Sequence, residues 1–238
     1  YETSDGLSTS ATHALEQSLA PVPAAPFPAA YAKMALQERG ISATALNNYL
    51  KSPWEYWFRN VVRLPEVKSV ELEFGTAMHS VLERWQRMYQ VNQAPVSETE
   101  LKSLLNAVLA ELPLTDSEYA RLHERGLAAL VGYQETFYTG LTMESRSEVT
   151  VRAELPTNHP EFPTVELTGN LDRVDCTTDG QVWQVIDYKT GKPKTRGDIV
   201  GTTKTSRGDY KRQLAFYALL LSLQSDERWH CRTGVLWT

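Results

Sequence analysis

The 238-residue sequence has only two cysteines, Cys176 and Cys231, and no apolar run longer than the eight residues from Leu214 to Leu221. Two thiols cannot build a disulfide framework or supply the four thiolates of an iron–sulfur cluster, and so few fit a reducing cytoplasm. An eight-residue run is far too short to cross a bilayer, so no membrane role is expected. Net charge is also modest, at −5, which argues against a protein that coats nucleic acid through bulk charge. The chain opens at Tyr1, has its first methionine at Met34, and stops after a strand-like stretch, Thr233–Thr238. It reads as a piece of something longer, and no signal peptide can be judged from it.

What is present is ordinary for a globular protein: 42% hydrophobic and 22% charged residues. The length allows one domain with a helical elaboration. Residues 1–35 read as a lead-in linker, because residues 21–30 run Pro-Val-Pro-Ala-Ala-Pro-Phe-Pro-Ala-Ala. The rest, 36–238, divides into a helical part at about 41–140 and a core of strands and helices at about 145–238.

In the helical part, Ser42 is an N-cap candidate for a helix carrying Leu46, Tyr49 and Leu50, and Pro53 interrupts it. The aromatic cluster Trp54, Tyr56, Trp57 and Phe58 that follows is expected to pack in the core. Phe74–Met88 is a stronger helix, with Met78, Val81, Leu82 and Trp85 on its buried side and His79 one turn before Glu83. A helical histidine is commonly just a hydrogen-bonded boundary residue. Ser97 and Glu100 form a capping-box pattern ahead of Leu101, Leu104, Leu105, Val108 and Leu109, and a further helix is expected from about Asp116 to Tyr138.

The core carries the chemistry. Glu148–Leu155 reads as a first strand. Residues 167–191 read as two alternating, β-branched runs joined at Asp179-Gly180, the dipeptide of a two-residue hairpin turn. With those two residues as the loop, cross-strand partners have numbers that sum to 359, and Asp172 lies directly opposite Asp187. Period two along the strand puts Lys189 on the same face, beside Val185 and Trp183. Two carboxylates about 5 Å apart repel by about 3 kcal/mol at an effective dielectric of 20. A hard divalent cation would turn that repulsion into attraction. The bland alternative is an exposed hairpin face whose charges are merely solvated.

Beyond the hairpin, Lys189, Lys192, Lys194, Arg196, Lys204, Arg207, Lys211 and Arg212 face only Asp198 and Asp209, a local basic excess of six. Such a strip beside paired carboxylates suits a phosphate backbone, although solvated basic loops are common. The following helix, Tyr210–Ser222, sets Tyr210, Gln213 and Tyr217 on one side and Leu214, Ala218 and Leu221 on the other. Strand, hairpin, helix and a last strand at Thr233–Trp237 predict an α/β fold with a sheet of mixed strand directions.

Four segments in this order carry a resemblance: Gly75-Thr-Ala-Met-His79, Gly169-Asn-Leu-Asp172-Arg173, Asp187-Tyr-Lys189-Thr-Gly191 and Gln213-Leu-Ala-Phe-Tyr217. Together they resemble the RecB-like branch of the PD-(D/E)XK nucleases, over roughly residues 41–238. The stretch from Ser42 to Pro65 and the basic loop look most like the nuclease domain at the C-terminal end of UvrD/Rep-like superfamily 1 helicases, relatives of AddB and RecB.

The resemblance implies a restriction-endonuclease-like core with a helical insertion. It also implies Mg²⁺-dependent hydrolysis of DNA, with Mn²⁺ substituting. His79, Asp172 and Asp187 would be metal ligands with the Tyr188 carbonyl, Lys189 would be the catalytic lysine, and Gln213 and Tyr217 would hold the site and the DNA backbone. Glu154 is the candidate for a supporting acid on the first strand. The implied partners are DNA, single-stranded and fed by a helicase motor in the same chain or complex. The implied setting is repair or recombination, by an exonuclease. The competing reading is a nuclease-fold DNA-binding module without turnover. Some relatives hold a 4Fe–4S cluster through a cysteine before the early proline and three late ones. Here Ser52 precedes Pro53 and Cys231 is the only late cysteine, so no cluster is expected.

Overall fold

The computed structural model describes residues 29–137, 141–204, 206–231 and 234–237. Most of the expected lead-in linker, residues 1–28, lies outside the described residues. From Ala29 the chain is already helical, in α1 (Ala29–Arg39).

Local signals explain the helical layer. Ser42 caps α2 (Ala43–Lys51), its hydroxyl accepting from the Ala45 amide at 3.1 Å. Ser52 caps the short α3 (Pro53–Tyr56), where proline is tolerated because its missing N–H would be unpaired anyway. The chain then widens into a π-helical stretch, Trp57–Val62, closed by Arg63 with φ of 57°. This corrects the expectation of a core aromatic cluster. Trp54 and Phe58 are 45% and 41% exposed and stack on each other at 6.1 Å. Trp54 lies in α3 and Phe58 in the π-helical stretch, and the two rings cover each other at the surface instead of entering the core.

α4 (Val70–Asn92) outruns the expected Phe74–Met88 at both ends, because Ser69 caps it and Gln93 ends it in the left-handed region. α5 (Glu98–Leu109) has the predicted capping box, and α6 spans Asp116–Phe137. Phe74, Met78, Val81, Leu82 and Trp85 of α4 meet Leu101 and Leu105 of α5 and Leu122, Leu130 and Tyr133 of α6 in one core. Burying each such side chain contributes about 1.5–3 kcal/mol. Ile186 and Tyr188 of the sheet join the same core, and so fix the helical layer against the strand that precedes Lys189.

The sheet is mixed, as predicted, in the order β1 (Arg146–His159), β2 (Phe162–Cys176), β3 (Val182–Tyr188) and β4 (Gly234–Trp237), with only β3 and β4 parallel. Among the described residues, a short α7 (Arg196–Val200), α8 (Asp209–Ser222) and a 3₁₀ turn, Glu227–Trp229, lie between β3 and β4. α8 covers the face of the sheet away from α4, with Phe216, Tyr217, Leu220 and Leu221 packed on Val151, Leu167, Leu171, Val174 and Val185. Gly169 makes this approach possible: a Cβ there would sit 2.9 Å from Leu220 Cδ2 and 3.4 Å from the Tyr217 ring.

The β2–β3 hairpin keeps the predicted register by a different route. Thr177 N donates to Gln181 O at 2.8 Å and Gly180 N to Thr177 O at 2.9 Å, so the loop has three residues, closed by Gly180 at φ 82°. That shifts the pairing by one, to Cys176 opposite Val182. A bulge at Trp183 then restores the sum of 359 at Asp175–Gln184, Val174–Val185 and Arg173–Ile186. Continued one step past Arg173–Ile186, the last pair of the ladder, that register would set Asp172 opposite Asp187. Trp183, expected to share their face, is turned out to solvent by the bulge.

Candidate active site

The acidic hairpin face is not a solvated surface. Asp172 is 8% exposed and Asp187 2% exposed. The β2–β3 ladder stops short of this pair, and Asp172 Oδ2 accepts the Tyr188 backbone N–H at 2.7 Å. The side chain thus takes a place that a strand carbonyl would otherwise fill.

Three elements meet here. α4 brings His79, whose Nδ1 lies 3.5 Å from Asp172 Oδ1 and 3.6 Å from Glu148 Oε1. β1 brings Glu148, which replaces Glu154 as the acid of the first strand. Glu154 is exposed and six residues further along β1, about 20 Å at strand rise, so it does not reach the site. Glu148 sits at the β1–β2 break, between the pairs Ser147–Arg173 and Val149–Leu171, with φ of 51°. A left-handed glutamate inside a strand is strained, and such strain concentrates at functional sites. Asn170 Nδ2 holds Glu148 Oε2 at 2.6 Å. Ligand atoms of His79, Glu148 and Asp172 all lie within 4.8 Å of one another.

Asp187 and Lys189 make a second half of the site. Gln213 Nε2 donates to Asp187 Oδ1 at 2.8 Å and to the Tyr217 hydroxyl oxygen at 2.8 Å. Tyr217 O–H in turn faces the Asn170 carbonyl at 3.2 Å. The residues expected to hold the site therefore hold one carboxylate oxygen of Asp187. The other oxygen, Oδ2, is buried without a hydrogen-bond partner, although Lys189 Nζ stands 2.6 Å away in an ion pair off the hydrogen-bonding direction. An orphaned buried carboxylate oxygen is costly unless a cation or water meets it. Asp187 lies near enough to Asp172 for its charge to act on that carboxyl, but the set of ligand atoms within 4.8 Å of one another is His79, Glu148 and Asp172 and does not include Asp187.

Charges are balanced on a knife edge. Burial, aided by the neighbouring Asp187 carboxylate, pushes Asp172 up to about 6, against the pull of His79, the Tyr188 amide and Lys189. Burial of the His79 imidazole opposes its charged form, yet Glu148 and Asp172, with a hydrogen bond to the Tyr188 backbone, raise its pKa. Glu148 is held low, first by its hydrogen bond with His79. Hard carboxylate oxygens of Glu148 and Asp172 gathered with one imidazole, beside a further buried carboxylate, fit a divalent cation of the magnesium or manganese kind.

A family model of the PD-(D/E)XK nuclease superfamily matches residues 40–236. The chain belongs to that superfamily. Comparison with curated proteins returned no match. Within this PD-(D/E)XK nuclease fold, the four-stranded mixed sheet flanked by helices carries Asp172 on its second strand and Asp187 and Lys189 on and just after its third. Among the described residues no helix is long and apolar enough to cross a membrane.

Two clefts flank these residues. One, of about 610 Å³, is lined by His79, Glu148, Tyr188, Lys189, Thr190 and Tyr210 among others. The second, of about 600 Å³, is lined by Asn47, Lys51, Lys194, Arg207, Tyr210 and Gln213 among others. Of the predicted basic strip, Lys194 and Arg207 line the second cleft, while Lys192, Arg196, Lys204 and Lys211 are exposed nearby in sequence. Arg212 departs from expectation. It donates to Asn47 Oδ1 at 2.6 Å, Asp209 Oδ1 at 2.7 Å and Arg207 O at 3.1 Å, and so clamps α2 to the start of α8.

One missed group lies next to the site. Arg173 is fully buried and paired bidentately with Asp175, at 2.6 and 3.0 Å, while Gln184 donates to Asp175 Oδ2 at 2.7 Å. Arg173 also donates to the Tyr133 hydroxyl, which is 2.8 Å from the Tyr188 hydroxyl. This network fixes Tyr188, the residue between Asp187 and Lys189. Charged residues alternating within an apolar strand were its only mark in the sequence.

Proposed function

We propose that this domain hydrolyses DNA phosphodiester bonds with Mg²⁺, Mn²⁺ substituting, as a RecB-like exonuclease module working on single strands fed by a helicase motor in DNA repair or recombination. The observation that carries the reading is the convergence of His79, Glu148 and Asp172, with the buried Asp187 carboxylate, ion-paired to the Lys189 ammonium, close by. His79, Glu148, Asp172, Asp187 and the Tyr188 carbonyl would hold the cation. Bound there, it supplies a lowered water pKa and charge stabilisation at the phosphoryl group.

The chain's own groups do the rest. Lys189 orients the attacking water and offsets negative charge that develops on the phosphoryl oxygens. Gln213 and Tyr217 hold Oδ1 of the Asp187 carboxylate, and so keep Oδ2 against the Lys189 ammonium. Lys194 and Arg207 hold the phosphate backbone in the adjoining cleft. In this reading cutting is independent of sequence, and among the described residues no element resembles a recognition helix.

End-labelled single-stranded and duplex DNA, and RNA of the same sequence, incubated with Mg²⁺ or with EDTA, test this directly. Mg²⁺-dependent, EDTA-blocked cleavage of single-stranded DNA is the expected result. DNA binding without any cleavage in Mg²⁺ or Mn²⁺ would instead identify an inactive binding module.

A further inference from the structure

Tyr210 is the one residue of the α8 polar-aromatic face that the scheme above leaves without a task. Gln213 and Tyr217, three and seven positions on, both reach Asp187. Tyr210 lies a turn earlier, at the start of α8, and it lines both clefts: the mildly basic one, where Lys51, Lys194 and Arg207 stand with Asp198 and Asp209, and the acidic one with His79, Glu148 and Lys189. The Lys189 ammonium stands 5.8 Å from the centre of its ring. A strand that runs from the basic cleft to the Asp187–Lys189 pair therefore crosses this ring.

We propose that Tyr210 is a base-stacking residue which seats one unpaired base of a single-stranded nucleic acid at the junction of the two clefts, and so sets the phosphate that follows against Lys189 and Asp187. This rests on the nuclease reading and adds to it the group that selects unpaired strands. An aromatic ring accepts the face of any base, so the contact costs no sequence tolerance. Paired bases are already stacked within the duplex and cannot offer that face. Three residues, a rise of about 4.5 Å, separate Tyr210 from Gln213 along α8. A stacked base at Tyr210 thus places its own backbone near the oxygen of Asp187 that Gln213 holds, while Lys194 and Arg207 take phosphates on the basic side. The role needs the ring and not the hydroxyl.

The test compares wild type with Tyr210→Phe, Tyr210→Trp and Tyr210→Leu, by kcat and KM on a single-stranded oligonucleotide and on its duplex. It also follows the fluorescence of a strand carrying 2-aminopurine, bound in EDTA. Tyr210→Leu should raise KM for the single strand roughly 5- to 150-fold. Its kcat and its behaviour on duplex should change little, and quenching of the fluorescent base should be lost. Tyr210→Phe and Tyr210→Trp should keep wild-type KM and quenching, which also covers the case in which the leucine variant fails to fold. Unchanged KM in Tyr210→Leu, an equal loss on single strand and duplex, or a fall in kcat alone would overturn the proposal, the last by showing that the ring only supports Lys189. Wild-type protein inert in Mg²⁺ and Mn²⁺ would strike the nuclease reading instead, while the quenching measurement would still report on stacking.

Discussion

Two charged groups sit side by side on β2 and differ in every respect that matters. Arg173 and Asp175 are fully buried, bidentately paired, and joined to Gln184 and Tyr133. Asp172, one residue away, shares its surroundings with Asp187, Glu148 and His79, and a buried oxygen of Asp187 is left without a hydrogen bond. The first group is closed: its charges satisfy each other and nothing is left to bind. The second gathers acid near acid with one carboxylate oxygen short of a hydrogen bond, and in the proposed reading a cation and a phosphate complete it. Satisfied charge fixes the shape of the hairpin, and unsatisfied charge held in place by that shape makes a site.

The sharpest way to separate the two is to remove one member of each. Asp187→Ala should lower cleavage by at least about 10²–10³-fold while shifting unfolding free energy no more than the roughly 1 kcal/mol of an ordinary substitution. Cleavage at the wild-type rate would remove Asp187 from the chemistry. Arg173→Ala should do the reverse at the level of the fold, costing about 3–5 kcal/mol in denaturant unfolding, because it strands the buried Asp175 carboxylate. A loss under 1 kcal/mol would mean that the pair is not closed.

The comparison also separates with pH. Asp172, at about 6 in the folded protein, lies above its unfolded value of about 3.9. Its protonation therefore favours folding in full below about pH 4, and that contribution is lost as pH rises through about 6. With metal removed, Asp172→Asn should be more stable than wild type by about 1–3 kcal/mol at pH 8 and show no such gain at pH 4. Equal unfolding curves at pH 8 would contradict the buried acid pair. By the same protonation, Mn²⁺ affinity of the wild type should weaken as pH falls below about 6, and a flat profile between pH 5 and 7 would exclude Asp172 as a ligand.

The smallest effect concerns the basic residues. Lys194→Ala or Arg207→Ala should each reduce the salt dependence of single-strand binding by roughly 0.7 in the log–log slope. Arg212→Ala, whose donors are spent on Asn47, Asp209 and Arg207, should loosen the α2–α8 contact and leave that slope nearly unchanged.

How far the chain could be read in advance follows from the range of each interaction. Caps at Ser42 and Ser97, the strand alternation and the hairpin are local, and they were legible. The register that would set Asp172 opposite Asp187 was reached through two errors of one residue each, the three-residue loop and the Trp183 bulge, which cancel. Glu148 was passed over for Glu154 because both are acids on the first strand. What distinguishes Glu148 is the break opposite Asp172, and no spacing in β1 announces it. The exposed rings of Trp54 and Phe58 went astray because composition alone placed the aromatic cluster in the core, while the two rings stack on each other at the surface. The Arg173–Asp175 network needs Tyr133 from a distant helix, so only the folded chain displays it.

The central claim is that an imidazole and three carboxylates converge on one cation. A Mn²⁺ titration of the wild type, followed by thermal unfolding at pH 7.5 and repeated on Asp172→Asn, tests it most directly. A saturable rise in Tm in the wild type, abolished in the variant, is the predicted result. No rise at any Mn²⁺ concentration, or the same rise in both proteins, would contradict it.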